Sequence, residues 1–296
     1  MKIVIAAASG NIGRRTAEKV IQTGAETILL TRNPEKLTDL VERGATVKQI
    51  SSDDPQGLSE ATQNADALFW LTPPKLDTPS LSNWYIQTAM AGATAVRENG
   101  IKRVVNISSI GAGAKSNLGT VSFVGDVESI FNQTGANVLH LRPGYFMENF
   151  LSQVKLIQQD HTVSFPYASD HDIPWISTDD IGDEAVKYLL DDSWAGQWIR
   201  NLMGPENLTL LETTAILSQV LDRPIEYVRV KIESIQQQMA SIGATPDVQK
   251  ELGKLFIALG DPDGIYATAR TPDAVTPTTF DQFVKNKLLP NICWMP

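Results

Sequence analysis

Through the first half of the chain, short apolar runs alternate with longer stretches whose apolar positions recur at helical spacing. The runs are Lys2–Ala8 (KIVIAAA), Glu26–Thr31 (ETILLT), Ala45–Ile50 (ATVKQI), Ala65–Leu71 (ADALFWL), Arg103–Ser108 (RVVNIS) and Asn137–Arg142 (NVLHLR). Their length and β-branched content predict strands, several buried on both faces. Between them, Arg14–Thr23 carries Ala17, Val20 and Ile21 at helical spacing. Further helices are predicted from Pro34 to about Val41 with Asn33 as N-cap, from Asp54-Pro55 to about Gln63, over Ser80–Asn99 and over Thr120–Thr134. Gly111–Gly119 reads as a loose glycine and alanine loop. Six strands alternating with helices predict an α/β fold with a doubly wound parallel sheet and right-handed crossovers.

Beyond Arg142 the alternation decays. Met147–Gln159, Thr178–Leu190, Leu210–Leu221, Ile232–Ile242, Pro246–Leu259 and Thr278–Lys287 read as helices, and Gln197–Met203 and Ile225–Val230 as short strands. We therefore expect a nucleotide-binding domain over 1–145. A smaller mixed lobe over 146–296, not independent of it, should cover the carboxyl ends of the strands, where such folds bind ligands.

The first 23 residues carry the clearest chemistry. A strand, then Ser9-Gly10-Asn11-Ile12-Gly13, then a helix is the opening of a dinucleotide-binding βαβ unit. The tight turn aims the helix's free N–H groups and its positive dipole end at a pyrophosphate. Gly10 lets the backbone approach the phosphates, and Gly13 lets helix and strand pack closely. Ala7 occupies the first place of a G-x-x-G-x-x-G pattern, a poor choice if that turn needs positive φ. A plain βα turn with two glycines is the competing reading.

The end of the second strand bears on the choice of dinucleotide. An NAD site usually has a carboxylate there to accept the ribose hydroxyls. Here Thr31-Arg32 is followed by Asn33-Pro34-Glu35-Lys36. Arg32 can fork onto a 2′-phosphate and Lys36 lies one helical turn on, so NADP(H) is expected, with NAD(H) as the alternative. Ser51 and Ser52, after the third strand, are candidate neighbours of the adenine.

Composition narrows the classes. The 296 residues are 42% hydrophobic and 20% charged, an ordinary globular make-up. A net charge of −9 without a basic patch argues against nucleic-acid binding. Cys293 is the single cysteine, so no internal disulfide can form and a cytoplasmic location is expected. No apolar run approaches the ~20 residues of a membrane span, and the opening strand leaves no place for a signal peptide.

A proton relay is harder to find. Short-chain dehydrogenases use Tyr-x-x-x-Lys on a helix, where the ammonium lowers the phenol's pKa. Tyr227 and Lys231 have that spacing but fall on a predicted strand. The helix Thr120–Thr134 holds neither residue type. Ser108 and Ser109 end the fifth strand and either bond a substrate carbonyl or terminate the strand. His140 is expected to be a satisfied interior group, and His161 and His171 exposed loop residues. Asp170, Asp172, Asp179 and Asp180 suit caps better than a metal. Tyr145 is the one tyrosine expected at the reaction centre. Trp70, Phe146 and Trp175 line a flat apolar pocket or belong to the core.

The segments AAASGNIGRR, LTRNPEKL, DALFWLTPP, VVNISSIGA and LRPGYFMENFL together resemble the NmrA-like proteins, atypical members of the extended short-chain dehydrogenase/reductase group. TPDVQKELGK and TPTTFDQFVKN resemble the closing segments of its quinone-oxidoreductase and triphenylmethane-reductase branch. The resemblance covers nearly the whole chain. It implies an NADP(H)-preferring Rossmann fold in which Ala7, Ser9, Gly10, Asn11, Ile12 and Gly13 surround the pyrophosphate and Arg32 takes the 2′-phosphate. Leu71-Thr72-Pro73 would flank the nicotinamide ribose, and Pro143-Gly144-Tyr145-Phe146 the nicotinamide. The chain departs from that pattern at Ala7, at Ser51 in place of a common aspartate, and at Val124-Gly125 where many relatives carry a lysine.

Two functions are consistent with this. The first is an NADPH-dependent reductase that transfers hydride to quinone-like or other flat conjugated acceptors. The second is a non-catalytic redox sensor acting through a regulatory protein partner. A sugar-nucleotide epimerase is disfavoured by the missing tyrosine–lysine pair. Whether the chain forms a homodimer stays open.

Overall fold

The computed structural model describes residues 1–114 and 117–293. The predicted loop Gly111–Gly119 therefore lies in part, at Lys115 and Ser116, outside the described residues. The first half runs β1 (Lys2–Ile5), α1 (Asn11–Gln22), β2 (Glu26–Thr31), α2 (Thr38–Glu42), β3 (Thr46–Gln49) and α3 (Pro55–Ala61). It continues through β4 (Ala67–Trp70), α4 (Leu81–Asn99), β5 (Arg103–Ile107), α5 (Thr120–Asn132) and β6 (Asn137–Pro143). Alternate residues of the central strands enter two different cores. Ile3, Ile5, Leu29, Phe69 and Val105 face one layer of helices, whereas Val4, Ile28, Leu30, Leu68 and Val104 face the other. A strand buried on both faces has no polar side, which is why these segments are unbroken apolar runs.

Three boundaries differ informatively from expectation. β1 stops at Ile5, because Ala7 turns the chain with φ of 52°. α1 begins at Asn11, three residues before the predicted start, with Gly10 as an N-cap that has no side chain to donate or accept. Asn33 does not cap the next turn through its side chain; instead its N–H donates to Thr31 Oγ1 at 3.0 Å.

The second half contains β7 (Tyr145–Phe146), α6 (Val154–Asp160), β8 (Thr162–Phe165), β9 (Trp175–Ile176), α7 (Thr178–Leu190) and β10 (Gln197–Leu202). After these come α8 (Leu210–Leu221), β11 (Glu226–Arg229), α9 (Ile232–Ser241), α10 (Pro246–Leu259) and α11 (Phe280–Phe283). Among the described residues the main sheet has seven parallel strands in the order β3-β2-β1-β4-β5-β6-β10. β10 was expected in the smaller lobe; it pairs with β6 over six residues, from Gln197 opposite Val138 to Leu202 opposite Pro143. α7 supplies the crossover that a parallel neighbour requires. It packs on α1, where Arg15 grips Asp183 through two bonds of 2.7 Å. The remaining segments bury an aromatic core of Phe150, Phe165, Tyr167, Trp175, Phe280 and Phe283.

Candidate functional site

The glycine turn is shaped by main-chain contacts. Gly10 N–H donates to the Ala7 carbonyl at 3.0 Å, and Ala7 holds the left-handed conformation that favours glycine. A Cβ on Gly13 would stand 2.4 Å from the Ala7 carbonyl oxygen, so only glycine lets α1 approach this turn. A Cβ on Gly10 would meet that oxygen at an ordinary 3.5 Å, and the residue is exposed. The first intrahelical bond runs from Arg14 N–H to the Gly10 carbonyl. The N–H groups of Asn11, Ile12 and Gly13 therefore lack a helical acceptor and sit at the positive end of α1.

The residues expected around a dinucleotide phosphate lie on this side. Ser9 accepts from Thr31 Oγ1 at 3.1 Å. Arg32 and Lys36 are both exposed, beyond the tip of β2. The Lys36 carbonyl accepts from Arg14, a residue sequence reasoning passed over. Arg14 is also paired with Glu18 and Asp39, whereas Arg32 and Lys36 face solvent. Ser51 bonds Asp53 at the end of β3.

The other side is a cavity of about 390 Å³ at the carboxyl ends of β4, β5 and β6. It brings together Asn11, Ile12, Leu71, Thr72, Ser108, Pro143, Gly144, Tyr145 and Phe146, all singled out from the sequence. Pro74 rather than Pro73 reaches it; the Pro73 carbonyl instead accepts from Trp84 Nε1 at 2.8 Å and fixes α4. Gly144 packs so closely on the Pro174 carbonyl that a Cβ there would lie 2.2 Å from its oxygen. Ser108 is buried and its hydroxyl has no partner among the described residues. Tyr145 stands edge-on to Trp175, Phe165, Tyr167 and Tyr266, with ring centroids 5.1–6.4 Å away. Burial raises its pKa to about 12, and the Tyr167 and Asn149 side chains offset this only in part.

Several lining residues were not anticipated. Tyr85 comes from α4, Val121 and Val124 from α5, Thr178 from the start of α7, and Leu255 and Leu259 from α10. α10 is tied down from several directions. Asp247 accepts from the N–H of Leu81 at 2.8 Å, and His171 donates to the Leu259 carbonyl at 2.7 Å. His171 is thus buried and structural, not the exposed loop residue expected. Of the aspartates singled out, Asp172 accepts from Asn207 at 2.8 Å, Asp179 from Lys287 at 2.6 Å, and Asp180 twice from Thr278. His140 is satisfied inside, between Asn106 and Asn132 at 3.0 Å each. Trp70 and Trp175 are core residues, while Phe146 does line the cavity. Tyr227 lies on β11 and donates to the carbonyls of Phe165 and Tyr167, away from any lysine relay.

Among the described residues the cavity lining holds no charged side chain. No cluster of His, Cys, Asp and Glu among them suits a metal ion, and no helix is long and apolar enough to cross a membrane.

A glycine turn after β1, beneath a sheet whose order reverses between β1 and β4, defines a doubly wound protein of the Rossmann type. The chain belongs to the NmrA-like family, whose model matches residues 1–284. It is 26% identical over 286 residues to an NAD(P)H azoreductase of Xenophilus azovorans, covering 96% of each chain. It is 23% identical over 265 residues to quinone oxidoreductase 2 of Escherichia coli K12, covering 86% of this chain and 90% of that one. In fold it is similar to the triphenylmethane reductase of Citrobacter sp. solved with NADP(H), with a TM-score of 0.78 and 18% identity over 96% of this chain and 99% of the other.

Proposed function

We propose that this protein is an NADP(H)-dependent reductase that transfers hydride to quinone-like or other flat conjugated acceptors. The observation that carries the reading is the meeting of the glycine turn with an apolar, uncharged cavity at the carboxyl ends of β4, β5 and β6. The free N–H groups of Asn11, Ile12 and Gly13, with Ser9 and the open face of Gly10, fit a pyrophosphate. Arg32 and Lys36 fit a 2′-phosphate, with Ser51 towards the adenine. Leu71, Thr72 and Pro74 would flank the ribose, and Ser108 with Pro143–Phe146 the nicotinamide; the unpartnered Ser108 hydroxyl supports this placement. A bound reduced nicotinamide supplies hydride. The helix α5 carries no lysine between Thr120 and Asn132, so no ammonium there drives proton transfer. Reduction of an isolated ketone forgoes the ~10²–10⁴-fold that a positioned acid supplies. A conjugated ring delocalises the incoming electron pair, and the walls act by proximity and orientation.

The test is aerobic and anaerobic oxidation of NADPH against a panel of quinones, azo compounds and cationic dyes. Turnover of flat acceptors with negligible turnover of simple alcohols and ketones is the expected result. Tight NADPH binding with no turnover of any acceptor would overturn it, and would favour the sensor that acts through a protein partner.

A further inference from the structure

Tyr85 lies in the first turns of α4 and is 8% exposed, yet it lines the cavity. Its ring is tilted against Phe123 of α5, with centroids 5.8 Å apart. Among the described residues no hydrogen bond reaches its hydroxyl. Burial alone raises its pKa, to about 12. The hydroxyl opens onto the cavity and is not sealed in the core, and an unpartnered donor in a cavity wall is a place for a ligand acceptor. Tyr145 differs, since its phenol has Tyr167 and Asn149 beside it.

We propose that the Tyr85 hydroxyl is the donor that binds a carbonyl oxygen of a flat, uncharged acceptor in this cavity. This rests on reading the cavity as the acceptor site. Val121, Val124, Leu255 and Leu259 give the ring an apolar bed, and none of them can satisfy a carbonyl. On reduction, the C4–H bond of a reduced nicotinamide dinucleotide would break, its hydride bonding one quinone oxygen and the nicotinamide being oxidised. The ring's displaced electron pair moves onto the other carbonyl oxygen, the one held by Tyr85, and a solvent proton there completes the hydroquinone. Tyr85 keeps its own proton. A phenol at about 12 does not surrender it to a hydroquinonate, which has the ordinary phenol value of roughly 10. Its bond to that oxygen strengthens as negative charge develops there.

The test measures equilibrium binding by dialysis to the protein without dinucleotide. The probes are 2-methyl-1,4-naphthoquinone and 2-methylnaphthalene, which share a ring system but differ in the oxygens. In Tyr85→Phe the quinone should bind about three- to tenfold more weakly, the effect of one lost hydrogen bond, while the hydrocarbon stays unchanged. An unchanged quinone affinity, or an equal fall for both probes, overturns the assignment. Absence of quinone binding to the unsubstituted protein overturns both the assignment and the acceptor reading. Quinone bound through Tyr85 without oxidation of NADPH supports the assignment and removes the reductase reading alone.

Discussion

At the glycine turn the shape of the site comes from the main chain. The Ala7 carbonyl, the Gly10 N–H and the missing Cβ of Gly13 settle it within seven residues. At the apolar cavity the shape comes from side chains drawn from α4, α5, the segment after β6, and α10. The first end is fixed at Gly13 by the Ala7 carbonyl and, on the proposed function, suits one kind of ligand, a pyrophosphate on a helix terminus. The second is an apolar surface on which single residues alter preference. The contrast suits a protein that holds one cofactor and accepts a range of partners.

The sharpest way to break this contrast is at the two glycines. Gly10→Val has room for its first carbon, so unfolding in urea should be unchanged while NADPH binding is lost, because the branch fills the phosphate's place. Gly13→Val drives a carbon into the Ala7 carbonyl and should also lower the unfolding free energy by roughly 1–3 kcal/mol. Retained NADPH affinity in Gly10→Val would put the dinucleotide elsewhere. Next in size, Arg32→Ala should cost NADPH about tenfold or more in affinity and leave NADH untouched, as expected for a charge-assisted bond of roughly 1.5–3 kcal/mol. Calorimetry that finds no preference for NADPH in the unsubstituted protein would refute the 2′-phosphate role. Smallest is Tyr145→Phe. That ring is packed by four aromatic neighbours, so removing its oxygen should lower quinone turnover by less than about tenfold. Complete loss of turnover would make Tyr145, not placement, the centre of the chemistry.

Legibility follows the same division. The first six strands could be read from the chain because each is a short run bounded by turn residues, apolar in all but the edge strand β3. Glu26–Thr31 matches to the residue. The glycine turn was legible because a main-chain turn leaves its mark in closely spaced glycines, here Gly10 and Gly13. Tyr85, Leu255 and Leu259 gave no local signal, since at helical spacing they look like any residue on a buried face. β10 was found as a strand but placed in the smaller lobe, whereas it pairs with β6 of the main sheet. As an edge strand, with Trp198 and Ile199 about half exposed, it lacks the apolar continuity of its partners. His171 was misjudged because a polar loop sequence does not show that α10 will cover it.

The place of β10 also bears on the order in which the molecule assembles. The sheet is closed on that side by a strand that leaves the ribosome only after the whole aromatic segment between β6 and β10 has been made. At ~5–20 residues per second, the 59 residues from Pro143 to Leu202 take roughly 3–12 s to synthesise. For that interval β6 has an open edge, with unpaired main-chain donors and acceptors beside Val138, Leu139 and Leu141, which are buried in the finished protein. A newly made first half thus waits, half-shielded, for its last strand, and slow translation just past β6 would lengthen its exposure to wrong partners.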